Sequence, residues 1–209
     1  LPAGVHLTLT ANGCRPILSP KLVPTLVDEQ GFFNNKSIFA EKVDSDEIYM
    51  EWEAQIQHFL TIVGYAPSHI DSHHHIHFQT PDLFEIATYL AKKYNLPVRA
   101  PFSDNFADLI ITPDKFFTSF YGENSTMDNL INILDEIHKL PNDENESEDK
   151  FFEIVCHPGY ECAETLKKSS YKNRLRELEI LQSPMIKTAI EKHNLVLANF
   201  QDLKDSRKK

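Results

Sequence analysis

Five of the chain's ten histidines fall within ten residues, in the run HIDSHHHIHF at 69–78. Imidazoles at this density, with Asp71 among them, form a ligand set suited to a divalent ion of the zinc, manganese or magnesium kind. The same residues also serve as hydrogen-bonding or pH-sensitive groups, so the direction of each side chain decides its use. If the run continues as an extended strand, His69, Asp71, His73, His75 and His77 share one face. His74 and Ile76 then take the other.

Three further positions carry chemistry. His6 lies in GVHLTLT, an apolar alternation, and taken alone reads as a hydrogen-bonded core histidine. His157, in CHPG, closes an apolar segment and is placed to donate a proton at the rim of a site. Arg99 interrupts the apolar stretch LPVRA. A buried arginine needs an anionic partner, so a structural ion pair and a substrate-binding or supporting role both remain open. The chain has no HExxH helix, GxSxG elbow or P-loop, which removes the usual support for zinc protease, serine hydrolase and nucleotide-driven readings.

The elements that must position these residues alternate along the chain. Val5, Leu7 and Leu9 predict a strand, and residues 19–43 predict a long loop with short helical pieces. From Asp44, apolar residues at 48, 52, 56, 59 and 63 predict a helix ending at Gly64. Thr80-Pro81 predicts the N-terminus of another, buried along Leu83, Ile86, Ala87, Leu90 and Tyr94. LPVRA and FFEIV predict strands, the second closed by His157. Ser125, with Asp128 three residues on, predicts a further helix start. Helices are expected near 173–182 and after Ser183-Pro184, followed by a last strand, LVLANF. NDENESEDK at 142–150 reads as a solvated loop. This alternation favours an α/β fold with a largely parallel sheet, whose chemistry sits at the C-terminal ends of strands.

The bulk composition narrows the partners. A formal net charge of −10 argues against broad phosphate neutralisation, hence against nucleic acid. A small, locally recognised molecule suits it better. Three cysteines without a CxxC pair point to a reducing compartment rather than a disulfide framework. No apolar run approaches the ~20 residues of a membrane span and no signal segment opens the chain, so a cytoplasmic protein is expected. The first residues, LPAG, lack Met and already enter a strand, which suggests that residues precede them.

Three segments together, GVHLTLT at 4–10, HIDSHHHIHF at 69–78 and EIVCHPGY at 153–160, resemble the YdjC/ChbG family of carbohydrate deacetylases. FYGE at 120–123 and the run SSYKNRLRELEILQSPMIKTAI at 169–190 add weaker matches. The resemblance implies a single domain over 1–209, folded as a distorted, TIM-like (β/α) barrel with mostly parallel strands. It implies a divalent metal, usually magnesium with zinc as the alternative, held by His6 and His73. The family's third ligand and its catalytic base are aspartates of an NADDFG motif, which this chain lacks. The barrel is therefore expected to be incomplete at its N-terminus and the chain as written to be weak or inactive. An exposed sheet edge would favour pairing in a homodimer.

The activity so implied is removal of N-acetyl groups from N-acetylglucosamine-containing oligosaccharides such as chitobiose, free or phosphorylated. His157 is expected as general acid, with His75 or His77 behind it. Asp71 is expected to orient an imidazole, and Arg99 to anchor substrate or orient the absent aspartate. Phe78, Phe102, Phe120, Tyr121 and Tyr160 are candidates to stack on sugar rings, with core packing as the competing use. Two other readings stay open: a metal hydrolase of another amide or ester, and a non-catalytic sugar- or metal-binding relative.

Overall fold

A computed structural model of the chain describes residues 2–11, 13–34, 43–100, 110–140, 149–160, 162 and 171–208. Phe102 and most of the acidic 142–150 segment lie outside them. The chain divides into two compact units, Leu1–Thr112 with Asn199–Lys209, and Pro113–Ala198.

In the first unit, β1 (Val5–Leu7) pairs in parallel with β2 (Ile70–Ser72) in the register Val5↔Ile70, His6↔Asp71, Leu7↔Ser72. Val5 and Leu7 face the core, while His6 stands on the open side. The connection between the strands contains α1 (Ser45–Val63). It starts where the sequence places it: the Asp44 side chain accepts from the Asp46 and Glu47 amides, and Gly64 closes the helix at φ 80°. Ile48, Trp52 and Ile56 bury its inner stripe against β1. After β2 comes α2 (Pro81–Tyr94), capped by Thr80 with Pro81 in the first turn and ended by Asn95 in the left-handed conformation.

The expected LPVRA strand is reduced to a single parallel bridge between Val98 and Ile70. It is fixed by Ile70 N–H to Pro97 O at 2.9 Å and Arg99 N–H to Ile70 O at 3.0 Å. Val98 N–H in turn donates to Ile111 O at 2.9 Å. Parallel neighbours thus succeed one another in chain order, with a helix in each of the first two connections. The last helix of the chain, α6 (Phe200–Ser206), also belongs to this unit and stacks Phe200 on His69 at 3.8 Å. Leu7, Leu9, Trp52, Ile56, Ile70, Leu90 and Val98 form the centre of its core.

In the second unit, β3 (Lys115–Phe117) pairs in parallel with β4 (Phe152–Ile154), and α3 (Met127–Lys139) lies between them in sequence. Helices α4 (Arg174–Leu181) and α5 (Pro184–Lys192) follow, both at the expected positions. Phe117, Phe120, Leu130, Leu134, Ile137, Ile180 and Ile186 pack as one core.

Three expectations change. The described strands form two parallel pairs and not a closed barrel. The cap of α3 is Thr126, whose hydroxyl accepts from the Asn129 amide, and Ser125 instead turns inward to a buried acid. LVLANF is no strand: Val196 and Leu197 are 88% and 83% exposed, and Asn199 begins α6. Asn199 and Asp202 form a reciprocal capping box there. Without a strand beside it among the described residues, an apolar alternation has nothing to pair with, and 195–199 runs irregularly into the cap of α6.

Candidate metal centre and its surroundings

Because His6 and Asp71 are register partners, their side chains emerge side by side on one face of the β1–β2 pair. His6 Nδ1 lies 2.8 Å from Asp71 Oδ1, and Arg99 Nη1 donates to Asp71 Oδ2 at 2.8 Å. Burial alone would raise the Asp71 carboxyl. The hydrogen bond from His6, with the charges of His6 and Arg99, outweighs it and holds the group below the ordinary carboxylate range. Arg99 therefore makes an ion pair, one of its two open readings. With Nδ1 engaged by Asp71 at 2.8 Å, Nε2 is the His6 nitrogen left for a metal, an arrangement usual among metal-binding imidazoles. His6 is more than half exposed, so it is not the core histidine its neighbours suggest.

The histidine run does not continue as a strand. It turns at His73 into a 3-10 segment, His73–Phe78, in which His74 and His75 adopt left-handed φ of 54° and 52°. Two successive residues in this region reverse the chain, at some backbone cost that the surrounding bonds must hold. The alternation of faces expected through His77 is thereby lost. His73 is left edge-on to His6, ring centres 5.8 Å apart. His74 packs against His73 at 3.8 Å and meets the Thr10 hydroxyl through Nδ1 at 3.1 Å. His75 stacks on Phe78.

His77 and His69 are used inside the protein. His77 is fully buried, its Nδ1 2.5 Å from Ser72 Oγ and its Nε2 2.6 Å from the Arg99 carbonyl. A carbonyl can only accept, so Nε2 carries the proton and Nδ1 receives the serine hydroxyl. Burial pushes both His69 and His77 down to about 4, hence neutral at neutral pH. Within the turn His77 supports the fold and His73 lies beside His6, while His69, before β2, is held by its stacking on Phe200.

These donors fit a divalent ion in part. Two imidazoles, one oriented by a carboxylate, suit zinc or another borderline metal at about 2.1 Å from each nitrogen. Among the described residues no group of three or more His, Cys, Asp or Glu side chains is disposed to hold a metal. A pocket of about 310 Å³ flanks β1 and α1, lined in part by His6, Thr8, Gln55 and His58.

The loop after β1 is fastened by two residues the sequence reading did not single out. Glu51, fully buried on α1, accepts from the Ile17 and Leu18 amides at 2.9 and 3.0 Å. Gln55 accepts from Thr8 N–H and donates to Thr8 O, as a neighbouring strand would. Their signal was an acid and an amide at helical spacing within the buried stripe.

In the second unit, His157 follows β4, and its amide donates to the fully buried Glu177 carboxylate. Glu177 also accepts from the hydroxyls of Ser125, at 3.1 Å, and Tyr171. Tyr171 stacks on Tyr121, ring centres 4.5 Å apart, and both rings touch His157. Glu177 was missed in sequence too, although it falls one helical turn before the buried Ile180. Phe120, a candidate sugar contact, is fully buried and belongs to the core.

Together these features define a mixed α/β protein with an imidazole–carboxylate site on one face of a short parallel strand pair. The chain belongs to the YdjC-like protein family, whose model matches residues 1–192. It is 40% identical over 212 residues to a carbohydrate deacetylase of Enterococcus faecalis, covering 97% of this chain and 78% of that one. A chitooligosaccharide deacetylase of Serratia marcescens is 32% identical over 211 residues, with the same coverage. A crystal structure from Enterococcus faecalis, described as that of a cellobiose-phosphate cleavage protein, superposes with a TM-score of 0.88 at 40% identity. It covers 97% of this chain and 78% of that one.

Proposed function

We propose that this chain is a metal-dependent carbohydrate deacetylase that hydrolyses the N-acetyl group of N-acetylglucosamine-containing oligosaccharides such as chitobiose. The observation that carries the reading is the His6–Asp71 pair, with His73 edge-on beside it. The names of the relatives, carbohydrate and chitooligosaccharide deacetylase, support the substrate class. The description of the Enterococcus structure supports extending it to phosphorylated disaccharides. The succession of parallel neighbours in chain order in the first unit supports a TIM-like (β/α) architecture.

His6 and His73 would hold the metal, magnesium or zinc, which when bound polarises the acetyl carbonyl and acidifies a water. Three side chains support that chemistry. Asp71 holds His6 Nδ1 and so orients the ring with Nε2 towards the metal. Arg99 holds the second Asp71 oxygen, so the carboxylate stays ionised and in register. His157 is the candidate general acid, a group that would give a proton to the departing amine.

The test is acetate release from diacetylchitobiose, with added magnesium or zinc and with a chelator. Release that needs the metal and is lost in His6→Ala and His73→Ala supports the reading. Chelator-insensitive release, or release unchanged in His6→Ala and His73→Ala, overturns it.

A further inference from the structure

We infer that Tyr121 is a pyranose-stacking platform that binds one sugar ring of an oligosaccharide beside His157. The inference deepens the carbohydrate reading above and rests on it for the substrate class.

Tyr121 is 50% exposed although it is held firmly. Its ring stacks on Tyr171 with an interplanar angle of 13°, which covers one side. The next residue, Gly122, is clamped at both ends. Its N–H donates to the Tyr171 hydroxyl at 3.2 Å, and its carbonyl accepts from Asn173 Nδ2 at 2.7 Å. Gly122 sits at φ +61°, with nothing near a notional Cβ, so glycine is required here for backbone conformation rather than space. The Tyr171 hydroxyl is in turn fixed on the buried Glu177 carboxylate, which also receives the His157 amide. Arg174 Nη1 lies 3.4 Å from the His157 carbonyl, and its guanidinium is 5.9 Å from the Tyr171 ring centre. One buried acid therefore sets the positions of His157 and of the aromatic pair together.

An aromatic ring that is exposed and already ordered loses little entropy when a ligand covers it. A pyranose suits such a surface: its axial C–H groups form an apolar face, and its rim of hydroxyls reaches polar neighbours. The His157 ring stands at 68° to Tyr121 with centres 5.4 Å apart, forming a wall beside the platform. A sugar lying on Tyr121 would present its edge to that imidazole. Phe120, one residue earlier, cannot serve, being wholly inside.

The experiment is calorimetric titration of the full chain with diacetylchitobiose, comparing wild type with Tyr121→Phe and Tyr121→Ala, and near-UV circular dichroism to check folding. Tyr121→Phe keeps the ring and should bind as wild type, while Tyr121→Ala should bind about tenfold more weakly. Equal affinity in wild type and Tyr121→Ala, or no binding by wild type, overturns the platform. Acetate release is followed in parallel. Binding that depends on Tyr121 without release would leave the platform standing and remove the deacetylase. Release with a KM unchanged in Tyr121→Ala would do the reverse.

Discussion

His6 and Asp71 face each other in register across β1 and β2, imidazole Nδ1 2.8 Å from carboxylate oxygen. Sixty-five residues separate them in sequence, and only the parallel pairing brings them together. The geometry makes Asp71 answerable to two partners, since Arg99 takes its other oxygen.

Asp71→Asn should separate these duties. The amide keeps a hydrogen-bond acceptor for His6 but loses the charge that orients and enriches the imidazole. Metal affinity should fall by about 10–100-fold, as measured by calorimetric titration with zinc or magnesium. Loss of the Arg99–Asp71 ion pair, at 13% side-chain exposure of Arg99, should cost about 2 kcal/mol of stability by urea unfolding. An Asn variant with wild-type metal affinity would remove Asp71 from the site.

Acid should destabilise the first unit before ordinary carboxylates titrate. His69 and His77 stand at about 4 when folded against 6.5 for the free side chain. The unfolded chain therefore binds more protons between these values, and stability falls as pH drops from about 6.5 towards 4. Asp71 adds a loss at lower pH, because its folded value is depressed. Urea midpoints measured from pH 8 to 4 should be level above about 7 and decline below it. A midpoint unchanged down to pH 4.5 would contradict the burial of both rings.

Gly4→Ala should be costly at a position where backbone angles are not the reason. A Cβ there would lie 2.2 Å from His69 Cε1. That ring has little room to retreat, being stacked on Phe200 and 3.0 Å from Ser68 Oγ. Overpacking of this kind costs about 1–3 kcal/mol, readable as a lowered thermal midpoint. Trimming His69→Ala in the same chain should recover part of the loss specific to Gly4→Ala.

Glu51→Ala should loosen the loop that follows β1. The Ile17 and Leu18 amides would lose their acceptor, at a cost of about 3 kcal/mol, with faster hydrogen exchange at those two amides. Glu51→Gln retains one acceptor oxygen and should cost less. Exchange rates unchanged in Glu51→Ala would show the loop to be held by other contacts.

Much of the secondary structure is written locally. Asp44 and Gly64 bound α1, Thr80-Pro81 opens α2 and Ser183-Pro184 opens α5, because capping and proline restraint act within a few residues. The alternation of Val5 and Leu7 likewise marks β1. Where a signal depends on a partner far along the chain, it misleads. LVLANF alternates as a strand does, yet Asn199 and Asp202 supply a cap, and the helix forms.

The candidate site divides in the same way. The histidine run with Asp71 stands out from composition and order, while Arg99 and His157 stay open there and His6 reads as a core histidine. His6 and His73 emerge as ligands only through the resemblance of the surrounding motifs to the family. Which histidines are buried and which stand beside the His6–Asp71 pair was decided only by tertiary structure. The left-handed turn at His74 and His75 breaks the period of two, and the buried bonds of His77 to Ser72 and Arg99 close that turn. Glu177 and Glu51 became visible the same way, since a carboxylate declares its role only when the amides and hydroxyls it serves have been folded around it. Local rules fix torsion angles within a few residues, while the direction of a side chain into a shared site depends on strand register and burial, which belong to the whole fold.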